Sequence, residues 1–155
     1  MKKKLSDIIL GIDLGGTIHH RVEGVVMPMP HAFRVIRDLK RLVKGIYIIS
    51  KVTDEQSLAA YNWFRTVNFF EETTLTPNKV LFCYERIDKG PIACKLGVTH
   101  FIDDRPDVML GLQSEVIKYL MNPSQSDMDK FQEKTKEMNI IRDWLTLENL
   151  ILTHE

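Results

Sequence analysis

Cysteine, long apolar runs and a dominant charge are all scarce in this sequence, and each scarcity excludes something. Only Cys83 and Cys94 occur in its 155 residues. They form neither a CxxC pair nor a framework of bridges, so both are read as reduced and the protein as cytoplasmic. No run approaches the ~18 apolar residues needed to span a bilayer. The basic start, Met1-Lys2-Lys3-Lys4, leads into an apolar stretch interrupted by Asp7 and Asp13 with no small-residue cleavage site, which argues against secretion. Lys+Arg and Asp+Glu both number 21, so there is no strong nucleic-acid or membrane signal. The signatures HExxH, GxSxG and GxxxxGK followed by Ser or Thr are absent, which removes the commonest zinc-protease, serine-hydrolase and P-loop chemistries. His31, His100 and the cysteines lack the spacing of a soft metal-ligand set.

What remains is an alternation. Five short apolar runs, Ile8 to Asp13, Gly45 to Ser50, Val80 to Tyr84, Thr99 to Asp103 and Val116 to Leu120, are separated by segments with helical spacing. This is the pattern of an α/β domain with a mainly parallel sheet. Phe33, Ile36, Leu39 and Val43 mark one helical face, with Arg34, Arg37, Arg41 and Lys44 on a solvated basic face. Thr53 and Gln56 form a capping box that opens a helix through Leu58, Tyr61, Phe64 and Val67. Trp63, Phe69 and Phe70 read as packing residues. Lys89 to Leu96 ends at Gly97, and Pro106 suits the first turn of the next helix. Residues 18–29 read as a small hairpin turning at Glu23-Gly24, which leaves no room for a large lid.

Open α/β sheets place ligands outside the carboxyl ends of their strands. Asp13, Ser50 and the pair Asp103-Asp104 fall at such ends, with Asp107 one turn later. Singly, each has a plain explanation: Asp13 starts a turn, Asp104 caps a helix, Ser50 is a loop hydroxyl. Together they suggest converging carboxylates, whose repulsion raises a pKa unless a divalent cation neutralises them. Oxygen-only ligands suit Mg2+ and leave positions for a substrate phosphate.

This ordered set resembles the haloacid dehalogenase (HAD) superfamily of phosphotransferases. Ile9 to Thr17 is similar to its first motif, hhhDxDGT; Ile46 to Ser50 to the second; Lys89 falls where the third-motif lysine is expected; and Phe101 to Asp107 is similar to the acidic fourth motif. The resemblance implies a single Rossmann-like three-layer domain over 1–155, with a mainly parallel five-stranded sheet and no large cap. The motifs span 7–120, and a helical segment follows over 123–152. It implies that Asp13 attacks phosphorus, that Mg2+ is held by Asp13, the carbonyl of Gly15 and acids among Asp103, Asp104 and Asp107, and that Gly16, Thr17, Ser50 and Lys89 bind the phosphoryl group. Lys95 is the lesser candidate for the lysine. The substrate is phosphorylated, small or macromolecular.

One position departs from the family. Its phosphatases carry a second motif-one Asp, which protonates the leaving oxygen; here it is Gly15, with His19 and His20 nearby. Such acid-base help is worth ~10² to 10⁴-fold. The expected function is therefore a Mg2+-dependent phosphohydrolase of low or unusual activity, or alternatively a non-catalytic phosphate-binding or regulatory domain. Residues 11–17 are also similar to the first phosphate loop of sugar kinases. That fold needs two lobes, for which the chain is short, and leaves Asp103-Asp104 without a role. A receiver domain carries its acidic pair after the first strand, not the fourth.

Overall fold

The computed structural model describes residues 3–153; Met1 and Lys2 of the basic start lie outside them. In chain order the strands are β1 (Ile9–Ile12), β2 (His19–Val22), β3 (Val25–Pro28), β4 (Gly45–Lys51), β5 (Val80–Cys83), β6 (His100–Asp103), β7 (Ile117–Met121) and β8 (Asn139–Ile141). β2 and β3 pair as an antiparallel hairpin, turning at Glu23 and Gly24, both with positive φ. The other six form one parallel sheet in the order β5-β4-β1-β6-β7-β8. The helices are α1 (Ala32–Lys40), α2 (Asp54–Thr66), α3 (Phe69–Thr73), α4 (Lys89–Leu96), α5 (Pro106–Leu110), α6 (Gln125–Lys130) and α7 (Trp144–Leu152).

Side-chain alternation along the strands supplies two cores. Leu10, Ile12, Ile48 and Ile102 face a core shared with Ile36 of α1, Phe64 of α2, Phe69 of α3 and Leu147 of α7. Ile49, Phe101 and Leu120 face the other side, against Ala93 of α4 and Met109 of α5. Helices on both faces of a parallel sheet make a Rossmann-like three-layer α/β fold. The sheet has six strands rather than the expected five. The extra one, β8, lies inside the segment expected to be helical, and pairs with β7 over only three residues.

From β1 the chain moves outward to β4 and β5, then crosses back to β6 on the other side of β1 and continues to β7 and β8. The carboxyl ends of β1 and β6 therefore flank the point where strand order reverses, the usual ligand crevice of such sheets.

The capping box of Thr53 and Gln56 is present at both its hydrogen bonds. The apolar face expected for α2 is only partly covered: Phe64 is buried, whereas Leu58 is 69% exposed. The reason is that Gln56, Ala59, Ala60 and Trp63 turn toward a cavity beyond the strand ends. Trp63 packs among Phe33, Phe64 and Phe69, as expected, and its Nε1 donates to the Val26 carbonyl, tying the helix to the hairpin. The basic face of α1 is less free than its spacing suggests, because Arg34 pairs with Asp38 and with Glu148 of α7. Both cysteines are free thiols. Among the described residues no helix is long and apolar enough to cross a membrane.

Candidate active site

The cavity lies at the reversal point and has a volume of about 440 Å³. Asp13, Ser50 and Lys89 line it, from two strand ends and one helix. Asp13 follows β1 and its backbone N–H donates to Ile102 of β6 at 2.9 Å, so the two strands are locked where their acids emerge. Asp103, the last residue of β6, is fully buried behind Lys89 and is not itself on the cavity wall. Ser50, near the end of β4, lines the cavity and is also buried.

Lys89 opens α4 and reaches the same place. It is 3% exposed, and its Nζ donates to Asp13 Oδ1 and to Asp103 Oδ2, each at 2.8 Å. The close approach depends on Gly90, where a Cβ would collide with the backbone carbonyl of Gly111. Burial works against the lysine's charge, but Asp13 and Asp103 overcome it and hold the pKa above the ordinary lysine value. Lys95 is exposed, so the choice between the two lysines falls on Lys89.

Asp104 completes the acidic group. Its carboxylate lies against Gly16, whose positive φ and missing Cβ leave the space it occupies. One oxygen from each of Asp13, Asp103 and Asp104 lies within 4.8 Å of the others. Burial, then the charge of Asp13, pushes Asp104 up to about 6. The same causes in the same order push Asp103 well above the usual carboxylate range, against the pull of Lys89.

Three expected residues are placed elsewhere. Asp107 sits on α5 and accepts from Arg105 Nε at 3.2 Å; it stands outside the acidic group, because the turn at Pro106 carries it to an adjoining hollow. Gly16 and Thr17 do not line the cavity. Gly16 is covered by Asp104, and Thr17 is fully buried behind Asp13, with its hydroxyl 3.5 Å from Asp13 Oδ2 and its carbonyl taken by Trp144 Nε1. Gly15 does line the cavity, beside His19.

Three basic residues on the cavity wall, Arg21, Lys51 and Arg86, have no part in the motif reading. Lys51 directly follows Ser50 and Arg86 lies three residues beyond β5, so strand-end position was a usable signal for both. Arg21, on the hairpin, carried none.

The donor set fits a hard divalent cation. Asp13, Asp103 and Asp104 share one lysine, their crowding raises two of their pKa values, and every ligand atom is oxygen. A test follows from Asp104. Its raised pKa means the native state holds a proton that the unfolded chain releases near pH ~3.9, so this group's contribution to stability falls as pH climbs to about 6. Mg2+ must expel that proton at pH 5 but not at pH 7.5. Millimolar Mg2+ is therefore expected to raise Tm more at pH 7.5 than at pH 5, and equal rises would contradict the assignment.

No protein-family model matches this chain, and no curated protein matches it. Among solved structures it is similar to a de novo designed Rossmann 3x3 fold protein determined by solution NMR, at 11% sequence identity and a TM-score of 0.47, over 92% of this chain and 91% of that one.

Proposed function

We propose that this chain is a Mg2+-dependent phosphohydrolase of the HAD type, acting through an aspartyl-phosphate on Asp13, with slow turnover on ordinary monoesters because residue 15 is glycine. The observation that carries the reading is Lys89 bridging Asp13 and Asp103 at 2.8 Å beside Ser50, at the reversal point of the sheet. A carboxylate fixed by a buried lysine at the foot of an open cavity suits attack on an incoming ester.

The roles follow from the donors present. An Asp13 oxygen forms the new bond to phosphorus as the bond to the leaving oxygen breaks. Lys89 has three N–H donors, of which two are spent on carboxylates, so the third is available to a phosphoryl oxygen. The Ser50 hydroxyl supplies a second donor on that side. Asp13, Asp103 and Asp104 would hold Mg2+, with the Gly15 carbonyl as the ligand the family resemblance adds, and the ion would neutralise charge during the approach of two anions. Water then cleaves the aspartyl-phosphate. Gly15 offers no group to protonate the departing oxygen or to activate that water.

The same glycine favours a second reading, a phosphate-binding or regulatory domain that no longer turns over. A sugar-kinase-like site has no use for the grouped Asp103 and Asp104.

The test is hydrolysis of p-nitrophenyl phosphate, whose leaving group needs little protonation, with Mg2+ and with chelator. Turnover is expected with Mg2+ alone and is expected to vanish in Asp13→Asn. Turnover that survives either the chelator or Asp13→Asn would overturn the reading. Phosphate binding without any turnover would favour the second one.

A further inference from the structure

We infer that the ligand this site prefers is a phosphomonoester carrying a second anionic group, which Arg21, Lys51 and Arg86 hold at the mouth while the phosphoryl group sits on the floor. The inference rests on the proposed function and extends it to a substrate class.

The first ground is how charge is distributed. The chain as a whole is neutral, with 21 basic and 21 acidic side chains. The cavity wall is not: it carries five basic side chains, Arg21, Lys51, Arg86, Lys89 and Arg105, against the carboxylates of Asp13 and Asp104. A cleft with an excess of one sign of charge raises the local concentration of the opposite charge.

The second ground is which of these charges are already spent. Lys89 is consumed by Asp13 and Asp103, and Arg105 by Asp107. Among the described residues Arg21 donates to the Gly24 carbonyl alone, at 3.2 Å. Arg21, Lys51 and Arg86 form no ion pair with any described residue. Glu85 and Asp107 line the adjoining hollow that shares Lys51 and Arg86, without pairing to either. Three uncompensated cations thus face one cavity from three separate segments: the hairpin, the end of β4 and the turn after β5.

The third ground is depth. The groups that would take the phosphoryl oxygens, Ser50 and Lys89, are buried, whereas Arg21 and Arg86 are exposed and Lys51 is half-buried. The free cations are therefore at the rim, away from the reacting phosphorus. A volume of about 440 Å³ is within the usual range for organic ligands rather than for a bare oxyanion. Neutralising the phosphoryl group leaves these rim charges unused. A second phosphate or carboxylate on the same molecule would use them through charge-assisted hydrogen bonds.

The test is binding, so it does not depend on turnover. Phosphorus NMR titrations at fixed free Mg2+ and about 0.15 M salt, where loose long-range attraction is screened, would compare inorganic phosphate, glycerol 3-phosphate, 3-phosphoglycerate and 2,3-bisphosphoglycerate. The last three share a three-carbon skeleton and carry one, two and three anionic groups. Affinity is expected to rise at least ~10-fold from glycerol 3-phosphate to 2,3-bisphosphoglycerate. In the triple variant Arg21→Gln, Lys51→Gln, Arg86→Gln that ratio is expected to fall below about threefold. Equal affinities across the series, or a ratio unchanged in the variant, would overturn the inference while phosphate binding itself leaves the proposed function standing. Failure of inorganic phosphate and all three esters to bind would overturn both.

Discussion

Gly15→Asp is expected to raise turnover on phenyl phosphate by ~10²-fold or more, while p-nitrophenyl phosphate gains far less. The difference between the substrates is the argument. A poor leaving group must be protonated as the bond to phosphorus breaks, and a carboxyl at residue 15 supplies that proton; a good one departs unaided. The backbone at Gly15 accepts the change, because it is not among the glycines with positive φ. The added Cβ has room too: its nearest neighbour is His19 Cε1, at 3.6 Å, an ordinary van der Waals contact. His19 is the described side chain nearest the space that carboxyl would fill. Burial, against the opposing pull of Asp13, pushes its pKa below the usual histidine value, so at pH 7 the imidazole is neutral and a poor proton donor. High phenyl phosphate turnover in the unmodified chain, lost in His19→Gln and not increased by Gly15→Asp, would show that His19 serves as the acid and that residue 15 is not limiting.

Much of this arrangement was legible in the sequence because it depends on short-range rules. Apolar runs ending in Asp13, Ser50 and Asp103 marked strand ends that the structure brings close together, and Pro106 and Gly97 marked helix limits where the structure has them. What escaped depends on pairing across long separations. Asn139-Ile140-Ile141 is too short to show strand periodicity, and it becomes a strand only because β7 offers a free edge. Asp107 has the spacing of a ligand, but Arg105 two residues earlier claims its carboxylate. Thr17 is fully buried, its hydroxyl directed to Asp13 and its carbonyl taken by Trp144, 127 residues away, a pairing no local pattern shows. The uncovered side of α2 follows from the cavity it borders, which no local pattern encodes. Lys89 could be chosen over Lys95 only by position, since its two partners lie 76 and 14 residues away.

Lys89→Met is expected to destabilise the protein by ~3–5 kcal/mol, because it leaves two buried carboxylates without their shared partner. At ~2–4 °C per kcal/mol for a chain of this size, Tm should fall by ~6–20 °C. Ordinary loss of packing would give a drop as well, so the discriminating measurements are its dependence on pH and on Mg2+. Lys89 has its pKa held above the unfolded value, so its contribution is full below pH ~10.4 and would fade only as pH rises through the higher native value. Between pH 5 and 9 the lysine therefore does not itself change charge. The acids do change charge there, Asp104 at about 6 and Asp103 above its ordinary range. Burial and Asp13 already push Asp103 upward, and removing the lysine pushes it further, so the carboxyl takes up a proton more readily in the variant. The deficit should shrink as pH falls toward 4. Mg2+ should shrink it at neutral pH, since a divalent cation among Asp13, Asp103 and Asp104 replaces the missing positive charge. Lys95→Met, on the exposed side of the same helix, should stay within about 0.5 kcal/mol of the parent at every pH. A Lys89→Met deficit that ignores both pH and Mg2+ would mean that the lysine acts there as a packing stem, and that the three carboxylates do not form one electrostatic unit.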